Sequence, residues 1–408
     1  MNKLIKLLII IGISLAIFIL IYSAYSDSQF RYYIGTSTGL KDKPILTHEN
    51  FLIEEVMVGI QSSTALTFIG NDILFLEKET GQIRHIKNNK LIDEPVWDFN
   101  VKMEGCKCFT ESGLLGITSF NSDVYIFVTE ELGTVESFAE NRIYKFDWKN
   151  DQLHNQTLLN ILPGHGDMHH GGAMVADLNG NIFAVIGDQN IETELQNVKN
   201  GIFTDVGIIL RVGLNNEIKS PSSSDSPNDH YHGVGIRNSF GLAIDPVTNN
   251  LWDTENGTHE FDEINLTFPK YNSGWKKILG PATAEQKENF TGYSDYQYSD
   301  PEFSWEKTFA PTGISFVDNN WKNFSNNIFV GDCQGNLYTF QLNNSRDGFI
   351  FNNPELKDLV LNVGDSNSEI IFGENFGCIT DIEYSPNDQS LYVISYLNNG
   401  AIYKITPK

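Results

Sequence analysis

The chain has 408 residues, with 28 basic and 52 acidic side chains and a formal net charge of −24 at pH 7. A field this negative repels polyphosphate, so nucleic acid is excluded as a natural partner, whereas dications are attracted. The 40% hydrophobic and 12% aromatic content is that of a folded protein and excludes a disordered one. At this length the chain forms either two ordinary domains or one large β domain.

The first feature along the chain is an almost unbroken apolar run at 7–22, preceded by Lys3 and Lys6. Extended to Tyr25, the run reaches the length that spans a bilayer. We expect residues 1–26 to form a transmembrane helix, the alternative being a signal peptide cleaved near Ala24. Because the lysines precede the run, we expect a single-pass protein of the cell membrane with the rest of the chain on the external face. Residues 27–50 are interpreted as a polar stalk.

From residue 51 onward, three apolar strands separated by turns rich in Asn, Asp and Gly recur six times, roughly every 50 to 70 residues. This repeat predicts an all-β fold, a six-bladed β-propeller over 51–408. A pair of β-sandwiches is the alternative. The strand at 51–60 precedes the first repeat, and we expect it to pair with the last blade and close the ring.

The segment 164–190 carries the densest chemistry. His169 and His170 stand before a short strand, the turn at Asn179-Gly180 reverses the chain, and Asp188 follows the second strand. Asn-Gly is the strongest short-range hairpin signal. The hairpin places the histidines and Asp188 at the same edge of the sheet. A histidine oriented by a carboxylate is suited to act as a general base. A purely structural His–Asp hydrogen bond is the alternative.

Six motifs, in this order, resemble those of the glucose/sorbosone dehydrogenase family, the soluble quinoprotein aldose dehydrogenases. They are GLLG at 113–116, HHGG at 169–172, IGD at 186–188, GIRNSFGL at 235–242, TENG at 254–257 with DEINL at 262–266, and NSGW at 272–275. The resemblance covers nearly everything after residue 60. It implies oxidation of an aldose sugar or related alcohol, with pyrroloquinoline quinone as hydride acceptor and calcium as Lewis acid. It does not identify the substrate or the electron acceptor.

The resemblance also implies roles for single residues. His169 would abstract the proton of the sugar hydroxyl, Asp188 would orient His169, and Arg237 would stabilise charge on the quinone as it is reduced. Glu111 falls where the family keeps a polar residue that contacts the sugar.

Three residues would contact the quinone and two would bind the metal. The quinone contacts would be Arg237, Asn238 and Asn256. The main-chain carbonyls of Gly257 and Thr258 would take calcium, which prefers oxygen ligands.

The chain departs from the family where the quinone carboxylates are bound. Gln334 stands at an expected Lys, Cys378-Ile-Thr-Asp381 replaces R-x-R-D, Thr258 replaces Pro, and Ala173 replaces Arg. Charge-assisted hydrogen bonds contribute about 1.5–3 kcal/mol each, so these losses matter. The alternative function is therefore a non-enzymatic propeller that binds glycans or a protein partner. A calcium-dependent lactonase-type hydrolase is a third possibility.

Cysteine placement adds one structural expectation. Cys333 and Cys378 occupy equivalent regions of neighbouring blades, where the family carries basic residues. A propeller brings such positions together around its central channel, so we expect a disulfide between Cys333 and Cys378. Cys106 and Cys108 are too close in sequence for an easy mutual bridge.

Overall fold

Strands dominate the computed structural model of the chain. It describes residues 43–60, 62–101, 111–132, 139–164, 168–190, 198–200, 202–213, 220–223, 227–292, 295–396 and 400–408. From Pro44 to Lys408 these residues form one compact unit.

Three sheets begin in the first half of this unit, and sheet 3 also takes two short strands from farther along the chain. Sheet 1 contains Ser63–Ile69, Asp72–Glu77, Gln82–Lys87, Lys90–Leu91 and Trp97–Asp98. Sheet 2 contains Leu114–Phe120, Asp123–Glu131, Ala139–Lys149 and Gln152–Pro163. Sheet 3 contains Met174–Ala176, Ile182–Ile186, Ile208–Arg211, Tyr231–Val234, Tyr271–Asn272 and Gln297–Tyr298. A separate ribbon pairs Val198–Lys199 with Ile202–Phe203.

Sheets 4 and 5 follow, and a closing sheet combines strands from both ends of the unit. Sheet 4 contains Ser239–Ile244, Leu251–Glu255, Asp262–Thr267, Phe303–Trp305 and Val360–Leu361. Sheet 5 contains Pro311–Phe316, Asn327–Asp332, Leu337–Gln341, Ile371–Glu374 and Ile45–Leu46, the last from the expected stalk. The closing sheet contains Ile379–Ser385, Ser390–Ser395, Ala401–Pro407 and Phe51–Val58.

Helices are few in the part of the chain that the structure describes. The α-helix Ala284–Asn289 begins with a capping box between Thr283 and Gln286, which satisfies two backbone donors of the first turn. The 3-10 helices are Pro221–Ser223, Pro227–Asp229, Asn319–Phe324 and Pro354–Leu356.

Neighbouring sheets pack face to face, so their central strands are buried on both sides. Every residue of Ile182–Ile186 is buried, because sheet 2 covers one face of sheet 3 and sheet 4 covers the other. Strands buried on both faces read as continuous apolar runs. Between sheets 4 and 5, Trp252, Phe303 and Trp305 are fully buried, and the Phe303 and Trp305 rings meet edge-on with centroids 5.0 Å apart.

The ring closes where the two ends of the unit meet. Phe51–Val58 pairs antiparallel with Ala401–Pro407, with Phe51 opposite Pro407, which confirms the pairing expected for this strand. Tyr392, Ile394 and Ile402 of the closing sheet then pack with sheet 1. This packing covers the edges that an open stack would expose.

The predicted fold class, a six-bladed propeller with an N-terminal transmembrane helix, is wrong as stated. The fold is an all-β propeller, but only five blades, sheets 1 to 5, follow one another along the chain. The composite closing sheet stands in place of a sixth consecutive repeat. A sequence repeat counts strands along the chain, whereas the closing sheet combines three C-terminal strands with Phe51–Val58 from the other end of the unit.

The membrane localisation is corrected with it. The expected span at 1–26 lies outside the described residues, and within the described ranges no helix is long and apolar enough to cross a bilayer. The α-helix there has six residues, whereas a span needs about 20. The predicted single-pass anchor therefore has no support.

On one face of the ring, the end of the second strand of a sheet lies next to the start of its first strand. In four of the sheets, the residue after the second strand donates its backbone N–H to the carbonyl of the residue before the first strand. The same backbone hydrogen bond recurs in four sheets, from Lys78 N–H to Ser62, from Asn256 to Asn238, from Cys333 to Ala310 and from Tyr396 to Cys378. We call this side of the ring the upper face.

Candidate active site

His169 and Asp188 form the centre of the site on the upper face. The predicted hairpin is present, with Met174 paired to Ala184 and Ala176 to Ile182. Asp177 accepts the backbone N–H of Asn179 and Asn181 and holds the turn. The His169 Nδ1 and Asp188 Oδ1 atoms are 2.5 Å apart, so the structure brings the two predicted residues together.

The backbone around His169 departs from a regular strand. His169 itself has a φ of +59°, in the loop before Met174–Ala176. A Cβ at Gly187 would lie 2.6 Å from the carbonyl oxygens of both His169 and Arg237. Only glycine allows three chain segments to approach this closely, so Gly187 lets His169, Asp188 and Arg237 share one space.

Three donors fix the Asp188 carboxylate. Oδ1 also accepts the Asn190 N–H at 2.9 Å, and Oδ2 accepts the Trp275 indole N–H at 2.7 Å. Burial alone would raise the pKa of Asp188, but the hydrogen bonds from His169, Asn190 and Trp275 hold it below its usual value. Asp188 is therefore a carboxylate at neutral pH.

Arg237 contacts the opposite side of the His169 ring. Its Nη2 lies 3.2 Å from His169 Nε2, and its guanidinium stacks on Trp275 with 5.5 Å from Cζ to the ring centroid. A guanidinium stays protonated and can only donate. His169 Nε2 therefore presents its lone pair, and Nδ1 carries the proton shared with Asp188.

His170 lies away from this centre. It is fully buried, and its Nδ1 is 3.2 Å from the Asn141 side-chain oxygen. Asn141 in turn donates to the Pro163 carbonyl. These contacts give His170 a structural environment.

Glu111 closes the site from the start of sheet 2. Its carboxylate accepts the backbone N–H of His169. Burial raises the pKa of Glu111, against the opposing effect of His169, Lys78 and Arg237. Glu111 thus lies beside the candidate base, as its expected contact with a sugar requires.

The residues expected to hold the quinone carry unpaired polar atoms. Arg237 Nε, Asn238 Oδ1 and Asn256 Oδ1 are buried and have no hydrogen-bond partner among the described residues. Buried polar atoms are nearly always paired in native proteins. Three unpaired atoms on these three residues fit a polar group of a ligand.

Beneath these residues lies a set of buried carboxylates. Glu255 accepts the Arg237 backbone N–H at 2.6 Å and the Ser273 hydroxyl at 2.6 Å. Burial raises the pKa of Glu255 to about 7, and the Asp188 charge adds to this shift. Asp253 and Glu263 are fully enclosed nearby, and burial raises the pKa of each.

One of the two carbonyls expected to bind calcium, that of Gly257, has another contact. Arg237 Nη1 donates to the carbonyls of Asn256 at 2.8 Å and Gly257 at 2.7 Å, and the Thr258 hydroxyl contacts His259 at 2.9 Å. Calcium binds oxygen at about 2.4 Å, so an ion on Gly257 would lie within about 5 Å of a guanidinium. In the described ranges no group of three His, Cys, Asp or Glu could hold a metal. The arrangement does not favour calcium.

The side of the site formed by sheet 5 and the closing sheet holds the departures from the family. Cys333 and Cys378 form a disulfide, which confirms the predicted pair, whereas Cys106 and Cys108 lie outside the described residues. Gln334 follows Cys333 in the turn that Asp332 organises. Tyr396 donates its N–H to Cys378 and its hydroxyl to Glu79.

Four residues of this site were assigned no role in the sequence analysis. Trp275 and Glu255 stand in the quoted motifs NSGW and TENG, so their motifs were the signal. No sequence motif pointed to Lys78 or Tyr396, because their structural equivalence to Asn256 is seen only from the repeated backbone hydrogen bond.

The chain is similar in sequence and in fold to known sugar dehydrogenases. The chain is 26% identical over 294 residues to quinoprotein glucose dehydrogenase B of Acinetobacter calcoaceticus, covering 65% of this chain and 59% of that protein. It is 25% identical over 256 residues to aldose sugar dehydrogenase YliI of Escherichia coli, covering 59% and 60%. The chain thus spans less than two thirds of the length of these two relatives.

A solved structure shares the fold. The pyrroloquinoline-quinone-bound form of aldose sugar dehydrogenase from Streptomyces coelicolor superposes with a TM-score of 0.61 at 19% identity, covering 89% of this chain and 99% of that one. The profile of the Glucose / Sorbosone dehydrogenase family matches residues 60–404. The chain therefore belongs to the glucose/sorbosone dehydrogenase family.

Proposed function

We propose that the protein is an oxidoreductase that oxidises an aldose sugar or a related alcohol with pyrroloquinoline quinone as acceptor. Family membership supports an oxidoreductase in the coarse sense. The observation that carries the finer proposal is the contact of His169 with Asp188 on one ring nitrogen and Arg237 on the other. That arrangement suits removal of a proton from a substrate hydroxyl.

His169 would act through Nε2. Because Nδ1 keeps its proton against Asp188, the Nε2 lone pair is available to accept a proton from a hydroxyl group. The imidazolium that results lies 2.5 Å from the Asp188 carboxylate, which stabilises it. Trp275 and Asn190 hold that carboxylate in place.

Arg237 would give way to the substrate hydroxyl at Nε2. In the structure its Nη2 donates to this nitrogen, while Nη1 remains bound to the carbonyls of Asn256 and Gly257. A small shift of Nη2 is enough to admit a hydroxyl. The guanidinium then lies beside the reacting atoms and balances negative charge that develops there.

The unpaired polar atoms of Arg237, Asn238 and Asn256 support pyrroloquinoline quinone as the ligand of this site. When bound, it would supply the acceptor for the hydride of the substrate. The unpaired Arg237 Nε–H would donate to one of its oxygens, and one of the unpaired Oδ1 atoms of Asn238 and Asn256, which can only accept, would take its pyrrole N–H. Calcium lacks a comparable observation, so no role is assigned to it.

Titration of the purified protein tests this function. Pyrroloquinoline quinone is added with and without calcium, binding is followed by absorbance, and turnover by reduction of a dye with a panel of aldoses. We expect saturable binding and dye reduction that depends on both sugar and quinone. Neither binding nor dye reduction with any aldose would overturn the proposal.

One observation favours a second candidate, a propeller that binds glycans or a protein partner without catalysis. Gln334 and the Cys333–Cys378 disulfide stand where the family resemblance leads one to expect cations. In that case sugar would bind with no dye reduction at any quinone concentration, and His169→Ala would leave sugar binding almost unchanged.

A further inference from the structure

The site contains a buried lysine that has no role in the function proposed above. Lys78 follows the second strand of sheet 1 on the upper face, with only 7% of its surface exposed. It makes the backbone hydrogen bond that Asn256 makes in sheet 4 and Cys333 in sheet 5. Lys78 is therefore structurally equivalent to Asn256, which is expected to contact the quinone, and to Cys333, which lies where the family's basic residues are missing.

The Lys78 side chain reaches toward the closing sheet. Its Nζ lies 5.3 Å from the centroid of the Tyr396 ring, and Tyr396 donates its N–H to Cys378. A cation over an aromatic face is attracted by the ring quadrupole. The ammonium thus lies next to the Tyr396–Cys378 corner, where Gln334 and the disulfide leave no basic side chain.

Lys78 is also close to the catalytic centre. Glu111 and Glu79 interact electrostatically with its ammonium and favour its charged form, although burial lowers the pKa of Lys78. Glu111 accepts the N–H of His169. Lysine is rarely this buried without a charged partner, and a ligand carboxylate would add to the favourable interactions that Glu79 and Glu111 supply.

Resting on the proposed function, we infer that Lys78 is an anion-binding residue of the site and takes a carboxylate of the quinone. The family resemblance led us to expect this positive charge on sheet 5 and the closing sheet. Here Lys78 of sheet 1, which packs against the closing sheet, would supply it. The Tyr396 ring lies next to the ammonium, and the Tyr396 backbone N–H donates to the Cys378 carbonyl.

Two probes separate this inference from the proposed function. The dissociation constants of pyrroloquinoline quinone and of benzene-1,3,5-tricarboxylate, which is redox-inert, are measured by calorimetry at low and high salt. The proteins are wild type, Lys78→Met, Lys78→Arg and Lys277→Met. Lys277 is a matched control because its Nζ is bound to the Thr291 carbonyl and hydroxyl.

We expect Lys78→Met to weaken binding of both probes about 10- to 150-fold, the range for one charge-assisted hydrogen bond. Because Lys78 is buried, salt should screen its interaction only weakly, so the ratio between the dissociation constants of Lys78→Met and wild type should be similar at low and high salt. Lys78→Arg should retain most of the affinity, and Lys277→Met should match the wild type. A role limited to balancing Glu111 would lower the unfolding temperature of Lys78→Met without changing either dissociation constant.

The outcomes are distinguishable. Equal binding by wild type and Lys78→Met would overturn the inference and leave the oxidoreductase proposal standing. Tricarboxylate binding that depends on Lys78, without sugar-dependent dye reduction, would support the inference and overturn the oxidoreductase. Failure of the wild type to bind either probe would overturn both.

Discussion

The Nη2 atom of Arg237 lies 3.2 Å from Nε2 of His169, on the side of the ring opposite Asp188. The imidazole is thus held between a cation that must donate and a carboxylate that must accept. This pair of contacts selects one neutral tautomer, with the proton on Nδ1 and the lone pair on Nε2. The same contacts define which substitutions should affect catalysis and which should affect only stability.

Replacement of His169 by Ala should reduce turnover by about 10²- to 10⁴-fold, the usual contribution of a general base. Quinone affinity should change little, because Arg237, Asn238 and Asn256 remain in place. Steady-state dye reduction and quinone titration of the same preparation measure the two effects. Unchanged turnover in His169→Ala would exclude the proposed proton transfer.

His170→Ala is the matched control on the neighbouring residue. It removes a fully buried ring and its contact with Asn141, so we expect a loss of about 1–3 kcal/mol in the free energy of unfolding. Turnover of the folded protein should stay within a few-fold of wild type. Denaturant unfolding and dye reduction check both statements, and a stable but inactive variant would contradict them.

Asp188→Asn should reduce turnover far more than Trp275→Phe. The Asn side chain cannot stabilise an imidazolium by charge, so we expect a loss of about 10²- to 10⁴-fold. Trp275→Phe removes only one hydrogen bond to Asp188 Oδ2, about 0.5–1.5 kcal/mol or roughly 2- to 13-fold. The comparison is made on kcat with saturating quinone. Equal losses in the two variants would mean that Asp188 acts only through its position.

Parts of the fold and site were predictable because their signals are local. The turn at Asn179-Gly180 and the apolar runs on both sides of it predict a hairpin, which brings the start of its first strand next to the end of its second. His169 and Asp188 therefore had to meet. Phe51–Val58 was recognisable as an unpaired strand, and the Ala401–Pro407 strand needed a partner.

Other parts depend on distant contacts that no local pattern encodes. Ile45–Leu46 pairs with Ile371–Glu374 across most of the chain, and Lys78 reaches Tyr396 from another sheet. The carbonyl of Gly257 was expected to bind calcium, but the Arg237 guanidinium contacts it instead. A motif identifies which residues are present, whereas side-chain packing decides which of them interact.

Glu255 should make stability depend on pH. Burial raises its pKa to about 7, compared with about 4.3 in an unfolded chain. Between these values the folded protein binds a proton that the unfolded chain does not, so the free energy of unfolding falls as pH rises through this window. Glu255→Gln should flatten that fall, because the amide remains neutral.

Urea unfolding at pH 5, 6.5 and 8 measures this effect. The wild type should lose more stability from pH 5 to pH 8 than Glu255→Gln, by more than about 1.4 kcal/mol, the equivalent of one pKa unit. Asp253 and Glu263 shift in the same direction, so some dependence should remain. Exposed Glu374 provides the control variant Glu374→Gln, and parallel curves for all three proteins would contradict the prediction.

The Cys333–Cys378 disulfide should stabilise the ring where sheet 5 meets the closing sheet. The bond joins residues 45 apart in sequence, and restricting an unfolded loop of that length contributes about 2–4 kcal/mol. Calorimetric unfolding of the wild type should shift to lower temperature with a reducing agent, whereas the double variant Cys333→Ala, Cys378→Ala should unfold at the lower temperature in both conditions. Mass spectrometry should confirm that the reducing agent has broken the Cys333–Cys378 disulfide. If the unfolding temperature of the wild type then stays unchanged, packing alone holds these two sheets together.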